Sequence, residues 1–201
     1  ESEVIELNDV PHDEDRFLSY LTDAIYTETQ TKDIDFIVMG TRSQHTVGER
    51  LLGSNSIDII KTSEGPVMVI PENFHEFNPK IIGFASDFLQ TQAWSLNMLK
   101  TLGHLYKAEV MVFHIADDIG ADEQKQIDRI KENLSSLENF SIRIVAAESV
   151  IEGIKEFSAS HHLDVLAMMP REHNLFERLF VKSVTKEIAI DIDIQLLTFR
   201  P

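Results

Sequence analysis

From Phe77 onward, short apolar runs alternate with longer amphipathic stretches, and no other feature of the 201 residues constrains the fold as tightly. Lys80–Ala85 (KIIGFA), Ala108–Ala116 (AEVMVFHIA), Ser141–Ala147 (SIRIVAA), Leu163–Met169 (LDVLAMM) and Ile194–Phe199 (IQLLTF) read as strands. Between the first two, Trp94, Leu96, Met98, Leu99, Leu102 and Leu105 recur at mostly three- and four-residue spacing, which predicts an amphipathic helix over 91–106 with those residues on its buried face. Residues 121–138 are charged, with Ile127, Ile130, Leu134 and Leu137 on one face, and helices are also predicted over 150–161 and 176–190. The order is βαβαβαβαβ. Strands of near-continuous apolar character, separated by helices, call for a parallel sheet covered on both faces. Right-handed crossovers then give a doubly wound α/β fold: a five-stranded parallel sheet with helices on both faces, Rossmann-like in class.

The first 75 residues repeat only the later part of this pattern. A short strand is predicted at Val4–Leu7, a helix over 16–30, a strand at Asp35–Met39, a helix over 48–61 and a strand at Pro66–Ile70. Ile34-Asp35-Phe36-Ile37-Val38-Met39 parallels Leu163-Asp164-Val165-Leu166-Ala167-Met168, and Glu49-Arg50-Leu51-Leu52 parallels Glu177-Arg178-Leu179-Phe180. The offset between Asp35 and Asp164 is 129 residues, a domain-sized period. Three regions are expected: 1–72 as the C-terminal part of a first repeat, 73–79 as a linker around Pro71–Pro79, and 80–201 as a second, complete repeat. A first repeat without its opening strands exposes sheet edge and apolar surface. The expectation is that the missing part precedes Glu1 in the natural protein or comes from a partner chain.

Composition narrows function. The 34 acidic residues against 18 basic ones give a net charge of -16, a surface that repels nucleic-acid backbones and anionic membranes while leaving room for a small anion in a local basic pocket. No apolar stretch approaches the ~18 residues of a membrane span. With no cysteine there is no disulfide, thiolate metal site or cysteine nucleophile, which suits a reducing cytoplasm. The eight histidines form no helix-spaced metal pair, and no nucleophile elbow or hydrolytic triad is legible. His45 and His173 fall in corresponding loops as polar residues, and His114 caps the end of its strand. Asp35 is expected as a turn or cap residue before its strand.

The chemistry-bearing segment is Asp35–Pro71 (DFIVMGTRSQHTVGERLLGSNSIDIIKTSEGPVMVIP). A strand ends at Gly40-Thr41-Arg42-Ser43. Nine residues follow, then Gly53-Ser54-Asn55 within or beside a helix. Gly40 lies at the carboxyl edge of a parallel sheet, where such sheets bind ligands, and a glycine lets a phosphate approach backbone N–H groups. The helix start and the Ser54 hydroxyl add donors, and Arg42 and Arg50 add local positive charge. The competing account is that Gly40 only turns the chain and Gly53 only admits a close neighbour.

This segment resembles the universal stress protein family, in particular its tandem two-domain members. The family's ATP-binding members carry G-x2-G-x9-G-[S/T] after the fourth strand. Here Gly40, Gly53 and Ser54 keep the spacing, and Ser43 stands where the middle glycine belongs. Phe36–Met39 and Gly65–Pro71 match the flanking strands, and Phe84-Ala85-Ser86-Asp87-Phe88 is similar to the family's first strand and the Asp after it. The resemblance implies an adenine-nucleotide alpha-hydrolase-like fold. It also implies ATP or AMP held by Gly40, Arg42, Ser43, Gly53, Ser54 and Asn55, with Mg only as the nucleotide's companion and no metal of the protein's own. In the second repeat the same loop reads Met169-Pro170-Arg171-Glu172 and then Lys182-Ser183; Glu172 puts an anion where phosphate belongs and Pro170 removes a donor, so this copy is expected to be structural. The family pairs through its fifth strands, here Val67–Ile70 and Ile194–Phe199, which implies an internal pseudo-dimer and leaves a homodimer open. The function implied is a cytoplasmic, non-enzymatic, nucleotide-binding regulator, with weak ATPase activity not excluded. The alternative is a scaffold or interaction protein of the same fold that binds no nucleotide.

Overall fold

A computed structural model describes residues 14–31, 34–40, 54–63, 65–71, 76–88, 93–169 and 194–199. In chain order the elements are α1 (Glu14–Thr31), β1 (Ile37–Gly40), α2 (Ser54–Thr62), β2 (Val67–Ile70), β3 (Ile81–Ala85), α3 (Ala93–Tyr106), β4 (Glu109–Ile115), α4 (Ala121–Leu134), β5 (Phe140–Val145), α5 (Val150–Ser160), β6 (Val165–Met168) and β7 (Gln195–Thr198). The strand at Val4–Leu7 and the helix over 176–190 lie outside the described residues.

The seven strands form one sheet in the order β1-β2-β7-β6-β3-β4-β5. The five strands after residue 80 are all parallel, as the alternation of strand and helix requires. β3 is flanked by β6 on one side and β4 on the other, so the chain winds outward in both directions from it. The sheet does not stop at five strands. β7 runs antiparallel to β2, and β2 runs parallel to β1. β2 and β7 are the two fifth strands named above.

The registers share one offset. Ile37 pairs with Val67 and Leu166 pairs with Leu196, and each of the second two residues lies 129 positions after its counterpart. At the antiparallel joint, Val67 pairs with Thr198, Met68 with Leu197 and Val69 with Leu196. Under the same offset the first and last of these pairs exchange, and the Met68–Leu197 pair maps onto itself. The joint is therefore locally two-fold about that pair.

Two apolar layers sandwich the sheet. One gathers Ile57 and Ile59 of α2, Ile151, Ile154 and Phe157 of α5, and Val67, Val69, Phe113 and Leu166 from the strands, with Leu21 and Ile25 of α1 against it. The other gathers Leu96, Leu99 and Leu102 of α3, Ile127, Ile130 and Leu134 of α4, and Ile82, Phe84, Val110, Val112 and Leu197 from the strands. Burial on this scale supplies the main driving force for the sandwich. Glycine serves close packing at Gly83 on β3: a Cβ there would overlap Leu163 Cδ1.

Coverage of both faces, expected from the strand composition, fails at one place. Over β1 the layer with α3 and α4 has no helix among the described residues. Val38 is 60% exposed, Phe36 and Ile34 are exposed, and Leu105, which the spacing places on the buried face of α3, is 68% exposed. The residues of α3 that are buried are Ser95, Leu96, Leu99, Leu102 and Gly103.

Candidate functional site

Ligands of open parallel sheets bind beyond the carboxyl ends of the strands. β1 ends there on Gly40, which is exposed. A Cβ at Gly40 would meet nothing within 4 Å, and its backbone is outside the left-handed region. Among the described residues, no close neighbour requires glycine here. What the glycine leaves is a bare, solvent-facing backbone at the strand end.

The chain returns to the described residues at Ser54, which opens α2, with Asn55 next. The first turn of α2 carries no acidic residue and Lys61 sits in the last, so the helix's own side-chain charges suit its dipole. Unpaired N–H groups at such an end accept anions. Of the six residues predicted for the site, Gly40, Ser54 and Asn55 are placed on these two elements. Arg42, Ser43 and Gly53 lie outside the described residues, as do Arg50, His45, His173 and the loop beginning at Pro170.

A second constellation stands at the end of β3, the strand from which the sheet winds both ways. The Ser86 N–H donates to the Phe113 carbonyl (2.9 Å), and the Ser86 hydroxyl oxygen accepts from the Phe88 N–H (3.1 Å). His114 Nδ1 lies 2.8 Å from the Ser86 carbonyl oxygen. A carbonyl only accepts, so Nδ1 carries a proton. Phe88 adopts φ 56° and is wholly buried, with its ring 5.1 Å from that of His114. Asp87 is thus carried half-buried on a turn fastened on both sides. His114 caps the strand edge, as its position in the sequence suggests. The left-handed Phe88 has no signature in residue type, because that conformation ordinarily selects glycine or asparagine.

His161 stacks on Phe157 (3.9 Å), which stacks on Phe113 (4.0 Å). Asp122, exposed in the first turn of α4, is held below the usual carboxylate range by a hydrogen bond from Lys125 and by its charge. Among the described residues no three His, Cys, Asp or Glu cluster as a metal site, and no helix is long and apolar enough to cross a membrane.

Residues 19–71, which run from α1 through β2 and include the whole glycine segment, match the sequence model of the universal stress protein family. This segment is therefore similar to the universal stress protein family. A solved universal stress protein from Archaeoglobus fulgidus DSM 4304 superposes with a TM-score of 0.61 at 16% identity, over 90% of this chain and 64% of that one. A functionally unknown protein from Pseudomonas aeruginosa PAO1 superposes with a TM-score of 0.62 at 14% identity, over 90% of this chain and 67% of that one. The chain thus spans about two thirds of the length of these structures, and at such identities the likeness speaks to the fold. Comparison with curated protein sequences gives no match.

Proposed function

We propose that this chain is a regulatory protein that binds an adenine nucleotide, ATP or AMP, at the turn from β1 to α2. The observation that carries the reading is Gly40: an exposed glycine at a carboxyl strand end, with open space where a side chain would be, preceding a helix whose first turn lacks acidic residues. Backbone donors at that end hold the phosphates, Arg42 supplies charge, and Ser43, Gly53, Ser54 and Asn55 complete the cradle. Mg enters only with the nucleotide. In this reading residues 1–72 belong to one repeat, 73–79 link it, and 80–201 form a second repeat whose loop holds Glu172 and serves as a structural partner. The common 129-residue offset of the two registers supports that division. The protein works in the cytoplasm and turns over no substrate.

Isothermal titration of the chain with ATP, ADP and AMP tests this. One saturable site is expected, lost in Gly40→Val and in Gly53→Glu. Gly40→Val meets no described residue within 4 Å, and circular dichroism checks that the variant is folded. The absence of heat at millimolar nucleotide sinks the reading. Steady phosphate release that disappears in the same variants would make the protein an ATPase instead. The second reading, an interaction scaffold without nucleotide, is favoured by the exposed apolar residues along β1 and α3.

A further inference from the structure

β5 ends the sheet on the side opposite β1, and its inner edge pairs with β4 without a break from Phe140 to Val145. Its outer edge has no partner among the described residues. Natural sheets guard such edges with proline, a bulge or several charges. This strand contains no proline and carries a single charge, Arg143. In a chain of net charge -16, residues 139–147 (NFSIRIVAA) contain no acidic residue. Arg143 and Ile144 are exposed, Ile144 by 39%.

Two charges beside this edge have no ion-pair partner among the described residues, and they share one sheet face. Arg143 pairs in register with Phe113 of β4 and donates only to the adjacent Ile142 carbonyl (3.4 Å). Glu109, at the start of β4, accepts from the Ser141 hydroxyl (3.5 Å). Glu109 lies four residues before Phe113, about 13 Å along the strand, so Arg143 and Glu109 of one chain stay apart.

We propose that the outer edge of β5 is an interface for a second copy of the chain, paired antiparallel about a two-fold normal to the sheet through Ile142. Odd residues must meet odd and even meet even, because a one-residue slip turns every side chain to the other face. Centring the pair on Arg143 sets two guanidinium groups directly opposite, which is unfavourable. Centring it on Ile142 keeps the same length of strand paired and sets Ser141 against Arg143 of the second copy. Residues directly opposite are about 5 Å apart, so that guanidinium comes over Ser141 to the Glu109 carboxylate beside it. The contact forms twice by symmetry. On the other face, where Phe140 and Ile142 pack on the core, Ile144 meets Phe140 of the second copy and is covered. Main-chain hydrogen bonds along the edge supply affinity, and the two charge pairs set the register. The acidic remainder of each copy is screened beyond about 8 Å at physiological salt.

Sedimentation velocity of the chain, from low micromolar to several hundred micromolar at physiological salt, tests this. A monomer–dimer equilibrium is expected. Arg143→Glu and Glu109→Arg should each weaken it about tenfold or more, although the first makes the chain more negative and the second less. The double variant Arg143→Glu/Glu109→Arg should recover it. Circular dichroism checks that each variant is folded. The outward amides of residues 140–145 should exchange more slowly as concentration rises. A monomer at every concentration overturns the proposal, as does a dimer that both single variants leave intact or that the double variant fails to recover. Outward amides protected equally at every dilution also overturn it, because the chain itself would then cover the edge. The measurement contains no nucleotide, so its outcome is independent of the proposed nucleotide site.

Discussion

Replacing Asp164 by alanine should destabilise the chain far more than the same change at Asp35, although the two aspartates stand at equivalent places before β6 and β1. Asp164 Oδ2 accepts two backbone N–H groups, from Lys80 at 2.7 Å and Ile81 at 2.9 Å. Hydrogen bonds to a charged acceptor contribute about 1.5–3 kcal/mol where the donor is desolvated, and less where water can replace the acceptor. The Lys80 amide is exposed, so its loss costs roughly 1 kcal/mol, and the half-buried Ile81 amide costs roughly 1.5–2 kcal/mol. Asp164→Ala should therefore lose about 2.5–3 kcal/mol, and Asp164→Asn, which keeps one neutral acceptor, about 1 kcal/mol. Asp35→Ala removes no such contact and should stay within about 0.5 kcal/mol. Urea unfolding measures the difference, with Trp94 as the probe: it is the chain's single tryptophan and packs edge-on against Phe199 at 5.3 Å. The midpoint should move with an unchanged slope. Equal shifts for Asp164→Ala and Asp35→Ala, or a shift below about 0.5 kcal/mol for Asp164→Ala, refute the assignment of this carboxylate as the clamp on β3.

Gly83→Ala should destabilise by about 1–3 kcal/mol, because its methyl overlaps the buried Leu163 side chain, and combining it with Leu163→Ala should recover part of the loss in the same urea assay. Ser149 caps α5 by accepting the Glu152 N–H at 3.2 Å, so Ser149→Ala should cost about 1 kcal/mol, read as a lower thermal midpoint. Leu197→Asp places an unpaired carboxylate at the centre of the β2–β7 joint, where Leu197 is buried, and should cost more than about 3 kcal/mol, read as loss of native circular dichroism at moderate urea.

The parallel sheet after residue 80 was legible because apolar runs such as Ala108–Ala116 are bounded by helices long enough to cross over. The helix of 121–134 was legible for a related reason: Ile127, Ile130 and Leu134 mark one face of an otherwise charged stretch, and all three are buried. Leu105 shows where such reasoning stops. Periodicity says which residues share a face of α3 and is silent on whether anything covers the end of that face. Val38 shows the same for a strand: its apolar neighbours signal burial on both sides, and the sheet covers one. The glycines separate in a similar way. Gly83 and Gly40 look alike in sequence, and only packing distinguishes a glycine that admits Leu163 from one that meets nothing. Of the site, strand end and helix start were readable from the spacing Gly40–Gly53–Ser54. The Phe88 turn that carries Asp87 was not, because burial and a hydrogen bond to Ser86 override a backbone preference that residue type would have forbidden.

The symmetric joint about Met68 and Leu197 lies within one polypeptide, and this changes its thermodynamics. Two separate chains meeting through such strands would part on dilution. Here the second strand is always present at an effective concentration on the order of millimolar, set by the connecting chain. The contact cannot respond to protein abundance. Nor must both strands of the joint carry the same side chains, since a substitution in β2 does not recur in β7: Val69 corresponds to Thr198 under the 129-residue offset, and the two differ. The ends of the described sheet are other strands, β1 and β5.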